Sequence, residues 1–290
     1  MIRLSNQNIT QSSKINHRFD DTISFWYYNH DDRQSYYFKE CDSFSAFKEV
    51  LVSRLITSLH YPCVKYQMAT FIDQKIYNGV VSPNFIKPNT KYYSGSEILY
   101  NYYYGSDTPA MMVNPNSLES IWFALENRYF FHPLQKEIVA DLMNQITTIF
   151  ILNIIFCNSD CHEDNWGILE SDHGPSIAPM FDFSLTFSKI PYTRLSVREN
   201  KASSTFYEEA KYFLEVSDIT YMQQFQKIYE ALNPKNVLNE INFLAKESHN
   251  SLSSVKLKAI IIAYQNNYQI LSSLFKKQER NTNGRKIHYN

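Results

Sequence analysis

Glycine is scarce in this sequence. The 290-residue chain has 6, where average usage of ~7% would give about 20, and it contains no G-x-G-x-x-G and no G-x-x-x-x-G-K-[ST]. Folds that depend on those glycine-rich phosphate loops are thereby excluded. A charge of one sign is missing too. Lys+Arg 28 against Asp+Glu 29 leaves a net charge of -1, so no global basic field exists to hold a nucleic-acid backbone, and direct nucleic-acid binding is not expected. The four cysteines, Cys41, Cys63, Cys157 and Cys161, are few and unpatterned, which argues against a disulfide framework and for a reducing cytosol. The longest apolar run, Ile149 to Cys157, is nine residues interrupted by Asn153. A membrane-spanning helix needs ~20, so no membrane span is expected. The opening MIRLSNQNITQSSK has no apolar core of signal-peptide length. What is present is ample core material: 44% hydrophobic and 16% aromatic residues, in a chain long enough for two domains or one two-lobed enzyme.

The first 90 residues read as strands and turns. Thr22 to Tyr28 and Ser35 to Lys39 are β-branched and aromatic around the polar turn NHDDRQ, a hairpin signature. A helix is expected from Ser43, with Phe44, Phe47, Val50/Leu51, Leu55 and Leu59 along one face, Ser43 or Ser45 as its cap and Pro62 as its stop. Val64 to Phe71 and Lys75 to Ser82 read as two more strands, giving a small sheet with one helix inserted after its third strand. From about 117 onward the pattern is helical: a long amphipathic stretch from Pro133, then helices at about 206–216, 218–232, 236–247 and 253–277. The expected layout is α+β and bilobal: a β-rich N-lobe over 1–90, a larger helical C-lobe over 91–277, and a polar tail over 278–290.

Chemistry concentrates in residues 157–187, CNSDCHEDNWGILESDHGPSIAPMFDFSLTF. Asp160 and Asn165 fall in a polar loop directly after an apolar helix. Trp166 to Leu169 and Ile177 to Phe181 read as two short strands joined by SDHGPS, with Asp182 following the second at once. Such a hairpin brings its ends together, so Asp182 is expected near Asn165 and Asp160. Two carboxylates and a carbonyl oxygen in one place suit a hard cation such as Mg²⁺. One carboxylate kept off the metal can orient or deprotonate an attacking hydroxyl, the parts that phosphoryl transfer needs. Lys39 closes an apolar strand and Glu49 lies on the next helix, the strand-lysine and helix-glutamate pairing with which kinases hold the α- and β-phosphates.

The string N-S-D-x-H-x-x-N-W-G, followed by F-D-F-S, resembles the HipA-like Ser/Thr kinases, bacterial toxin and effector enzymes. The resemblance extends to YYFK, KEVLVSRLITSLHYP and GVVSPNF, and covers about residues 10 to 190. Phosphatidylinositol kinases share the D-x-H-x-x-N order. The resemblance implies a kinase-like fold using ATP and Mg²⁺, with Asp160 as catalytic base and Asn165 and Asp182 as metal ligands. It makes Lys39 the phosphate-binding lysine, Glu49 its partner, and His162 a structural residue bracing the catalytic loop. ATP is expected between the lobes, near Gln67 to Phe85. The nucleotide loop falls on residues 8–16, NITQSSKIN, without glycine; Ser12, Ser13 and Lys14 are its phosphate-contacting candidates. Because some members resemble this in having a phosphorylated serine loop, Ser12 and Ser13 are also candidate autophosphorylation sites. The chain departs from common kinases in Phe183-Ser184 after Asp182 and in Cys161 after Asp160. The company this family keeps implies a protein substrate, an antitoxin or host-protein partner, and a bacterial cytoplasm or delivery into a host cell by a specialised secretion system.

Other readings stand beside these. Lys39 can be a surface lysine on an edge strand, and Glu49 a solvated helix glutamate. A lipid kinase shares the motif order, and a nucleotide-binding pseudokinase shares the fold. Cys157, Cys161, His162 and His173 lack the second spaced pair of a zinc site. The tyrosines at 100 and 102–104 lack the interleaved basic residues of a base-stacking surface.

Overall fold

In a computed structural model of the chain, residues 2–5, 16–17, 22–105, 118–158, 160–187, 219–248 and 252–286 are described. Strands β1 (Ile2–Ser5), β2 (Asn16–His17), β3 (Ile23–Asn29) and β4 (Gln34–Glu40) precede helix α1 (Ser43–Ser58). Strands β5 (Gln67–Ile72) and β6 (Ile76–Pro83) complete a six-stranded sheet in the order β1-β5-β6-β4-β3-β2. The helix therefore follows the fourth strand rather than the third. Strand β1 pairs in parallel with β5, Ile2 opposite Ala69; the other pairs are antiparallel. Period-2 alternation places Phe25, Tyr27, Phe38, Phe71 and Val81 in one buried cluster. Within it the Phe25 ring lies 5.0 Å from Phe38 and 4.8 Å from Phe71.

Helix α1 is capped by Asp42, not by Ser43 or Ser45. The Asp42 carboxylate accepts from the Phe44 and Ser45 N–H groups, and Ser45 Oγ donates to it at 2.7 Å. A carboxylate serves two backbone donors and a hydroxyl at once, which a serine cannot. Burial pushes the Asp42 carboxyl up, but the Ser45 and backbone hydrogen bonds outweigh it and leave the carboxyl below the usual range. The helix ends at Ser58, before Pro62, where His60 turns left-handed (φ 63°). It is buried nearly all round, from Ala46 to Ser53 and at Leu55 and Ile56, because the sheet covers one side and the helical part the other.

Strand β7 (Lys91–Ser94) leads into α2 (Gly95–Gly105), α3 (Leu118–Arg128) and α4 (Gln135–Phe156). By length and composition α4 could cross a bilayer, which the nine-residue run did not disclose; in the fold most of it is buried within the protein. After it come β8 (Gly167–Ser171), β9 (Gly174–Ile177), α5 (Ile219–Ala231), α6 (Pro234–Glu247) and α7 (Ser254–Lys286). The hairpin at 166–181 is a sheet of three strands, β7-β8-β9, with β7 as the unexpected member. The second strand ends at Ile177, since Pro179 has no N–H to continue a ladder. Asp182 accordingly stands five residues past the strand. Helix α7 runs to Lys286 through most of the expected polar tail, and the helix expected at 206–216 lies outside the described residues.

Candidate active site

A strand, the helix after it and a segment 143 residues further on meet at Lys39. From β4 its Nζ lies 2.7 Å from Asp182 Oδ1 and 3.3 Å from Glu49 Oε1. Gly79 makes the strand pairing possible there: a Cβ on it would stand 2.1 Å from the Lys39 carbonyl oxygen. Glu49 is fully buried on α1, and its Oε2 accepts from the Phe183 N–H at 2.7 Å. Glu49 is thus no solvated helix residue, and Lys39 no surface lysine at 11% exposure. Burial pushes the Glu49 carboxyl up, to about 7, against the pull of the Lys39 ammonium.

Asp182 has φ 62°, a left-handed conformation that aspartate tolerates better than bulkier side chains. Its N–H donates to Tyr66 Oη at 3.3 Å, and Ser184 Oγ donates to its Oδ1 at 3.1 Å. The Tyr66 ring meets the buried Phe183 edge-on, 6.2 Å between centroids. Just before Asp182, Val64 N–H donates to Met180 O and Met180 N–H to Pro62 O. Both sides of the aspartate are therefore tied to the segment that follows α1.

The loop after α4 is built differently. Cys157 closes the helix with φ 47°, which returns Asn158 over the last turn. Asn158, 2% exposed, donates from Nδ2 to Asn153 Oδ1 at 3.0 Å and to the Asp182 carbonyl at 3.4 Å. Its Oδ1 accepts from the Asp160 N–H at 3.2 Å. Asn153 donates in turn to Cys161 Sγ. His162 Nδ1 accepts from the Asp164 N–H and caps the 3-10 turn Glu163–Asn165, while its Nε2 stands 3.7 Å from Asp160 Oδ1. Asn165 Nδ2 donates to the Asp160 carbonyl at 2.5 Å. The turn is seated by Gly95, where a Cβ would come 2.3 Å from the Trp166 ring.

The structure thus brings Lys39, Glu49 and Asp182 into direct contact and places Asp160, His162 and Asn165 on one loop. The link between the two groups is Asn158, quoted in the motif but given no role by sequence reasoning. Its amide is read only once the left-handed turn at Cys157 is known. Ser12, Ser13 and Lys14 lie outside the described residues. Cys157 and Cys161 are buried, and among the described residues no cluster of three or more His, Cys, Asp or Glu forms. For Mg²⁺ the donor chemistry fits: Asp182 offers a carboxylate, and Asn165 uses its Nδ2 internally and keeps a carbonyl oxygen. This ion binds through one or two such groups plus substrate phosphates. Half-buried aromatic rings lie beside Asp182, with Phe85 stacked on Phe181 at 6.0 Å and edge-on to Tyr92 at 5.8 Å. Two cavities, about 470 and 570 Å³, are lined by none of Lys39, Glu49, Asp160, His162, Asn165 and Asp182, though Pro62 and Met180 line the first.

No family model and no curated protein matches the chain. Solved structures do. A Helicobacter pylori proinflammatory kinase, CtkA, superposes with a TM-score of 0.68 over 97% of this chain and 99% of that chain, at 15% identity. HipA from the Shewanella oneidensis MR-1 toxin–antitoxin complex with HipB and operator DNA matches at TM-score 0.52, over 95% of this chain and 66% of that one, at 11% identity. The fold is therefore the α+β, kinase-type fold of these two structures, the fold class expected from the sequence.

Proposed function

We propose that this chain is a kinase that transfers the γ-phosphoryl group of ATP to a Ser or Thr hydroxyl of a protein. The observation that carries the reading is Lys39 held between Glu49 and Asp182, within a kinase-type fold that also sets Asp160 on a fixed loop. Lys39 pairs with the nucleotide phosphates by giving up Asp182, and Glu49 keeps it aimed. Asp160 aligns the acceptor hydroxyl. The hydroxyl oxygen bonds to the γ-phosphorus, the bond from that phosphorus to the β,γ-bridging oxygen breaks, ADP leaves, and the hydroxyl proton passes to Asp160. Asn165 and Asp182 would hold Mg²⁺, which when bound would supply charge neutralisation for the phosphates. A toxin or effector role in a bacterial cytoplasm or a host cell, with an antitoxin or host protein as partner, belongs to the same proposal.

The test is transfer of label from γ-labelled ATP, with mass-spectrometric mapping of the product. Asp160→Asn and Asp182→Asn are expected to lower the rate by at least ~100-fold without unfolding the protein. Full activity in both variants overturns the reading. Label on Ser12 or Ser13 supports autophosphorylation there. Label on phosphoinositide vesicles but on no protein replaces the protein substrate with a lipid, and nucleotide-induced stabilisation without turnover marks a pseudokinase.

A further inference from the structure

Helix α1 carries Glu49 on one side, and five residues later it carries Arg54. On an α-helix that spacing turns the side chain by about 140° and advances it by ~7.5 Å. Glu49 reaches Lys39 and the Phe183 N–H, while Arg54 reaches α6 in the C-terminal region. Its Nη1 lies 3.4 Å from Glu240 Oε1 and its Nη2 2.5 Å from Glu247 Oε2. Its guanidinium stands 5.7 Å from the centre of the Phe243 ring. Glu240, Phe243 and Glu247 succeed one another at spacings of three and four, one stripe of α6.

We propose that Arg54 is a positioning residue: by tying α1 to α6 it sets the rotation of the helix that aims Glu49, and through Glu49 it sets Lys39. The inference rests on the phosphoryl-transfer reading above. The rest of α1 is held largely by apolar burial, which is strong but non-directional. Among the described residues, other directional ties are few. Ser53 Oγ donates to Val64 O at 2.6 Å and accepts from the Tyr66 N–H at 3.3 Å. Lys256 at the start of α7 stands 3.9 Å from the cap carboxylate of Asp42. Arg54 adds a planar fork that engages two carboxylates along α6, a geometry a lysine cannot copy. An isolated ion pair at 35% exposure would add little to stability. As a set of directional contacts across the helix from the site, the same pair sets orientation.

The experiment uses the full chain and compares Arg54→Ala, Arg54→Lys and the double variant Glu240→Gln/Glu247→Gln. For Arg54→Ala the KM for ATP is expected to rise roughly 3- to 10-fold, the effect of losing two half-exposed ion pairs and a ring contact, with kcat changed less than ~2-fold. Hydrogen exchange should quicken in residues 43–58 but not in the β3–β4 hairpin. Arg54→Lys should recover less than half of the KM change, because a point charge cannot fork. The double variant should match Arg54→Ala, and combining all three changes should add nothing further. An unchanged KM and unchanged exchange in Arg54→Ala overturn the proposal, as does full rescue by lysine. If the unmodified chain transfers no phosphate, the functional reading falls. The exchange pattern and the ATP-dependent thermal shift of the variants then decide the role of Arg54 by themselves.

Discussion

The two halves of the candidate site are held by opposite means. On the side proposed to take the phosphates, the Lys39 ammonium and the carboxyl groups of Glu49 and Asp182 are in contact, with side chains 11%, 0% and 21% exposed. On the transfer side, Asp160 sits in a loop organised by neutral amides: Asn153, Asn158 and Asn165, with His162 as a cap. Its carboxylate is 29% exposed, with His162 Nε2 3.7 Å from Oδ1. Charge is concentrated around Lys39, where in the proposed reaction an incoming phosphate would exchange one anion for another. Around Asp160, proposed to take the hydroxyl proton, the fixing contacts come from amide side chains and a backbone turn instead. The comparison makes removable charge the mark of the first half and a fixed backbone the mark of the second.

The sharpest way to break that comparison is Lys39→Met. It leaves Glu49 and Asp182 facing each other without their cation, and removing one partner of a buried pair costs about 3 kcal/mol or more. Urea denaturation should show that loss, together with an ATP affinity too weak to measure. Stability within ~0.5 kcal/mol of the parent chain would mean the two carboxylates are held by something other than Lys39.

Asn158→Ala probes the other half. Three hydrogen bonds converge on this amide, to the Asp160 N–H, to Asn153 and to the Asp182 carbonyl. Leaving their buried partners unmatched costs about 2 kcal/mol. Because Asn158 holds the loop and not the phosphates, kcat is expected to fall ~10-fold or more with the KM for ATP little changed. A KM effect as large as the kcat effect would erase the distinction between the halves.

How much of this was legible in the sequence follows the range of the forces involved. Strands β3 and β4, helix α1 and the long helix α4 carry their own periodicity, and the Lys39–Glu49 pairing follows from one strand and the next helix. The parallel partner of β1 lies more than sixty positions away at β5, and no local pattern announces it. Likewise β7 joins β8 across three helices and a loop, and its four residues, KYYS, are too short to show alternation. The sequence alone does not single out the Asp42 cap from its serine neighbours, because several residue types can cap and geometry chooses among them. Asn158 escaped for a different reason. Its partners are a helix residue five positions back and a carbonyl 24 positions ahead, so its role exists only in the folded chain.

The gentlest probe changes no residue at all. Burial, opposed by Lys39, raises the Glu49 carboxyl to about 7, whereas an unfolded glutamate titrates near ~4.3. Between those values the folded chain binds the proton more tightly than the unfolded chain. This group's contribution to stability is therefore full below the unfolded value and is lost as pH rises through about 7. The expected loss is on the order of 1 kcal/mol between pH ~6 and ~8, read as a drop in the midpoint of urea unfolding that Glu49→Gln abolishes. If Glu49 aims Lys39 in its ionised form as proposed, activity should climb over the range in which stability falls. In Lys39→Met the opposing cation is gone. The stability loss should then move to higher pH and grow steeper around neutrality, while Asn158→Ala keeps the parent profile. A Lys39→Met profile that coincides with the parent's would show that Lys39 does not set the charge of Glu49, and that the phosphate side is not organised by charge.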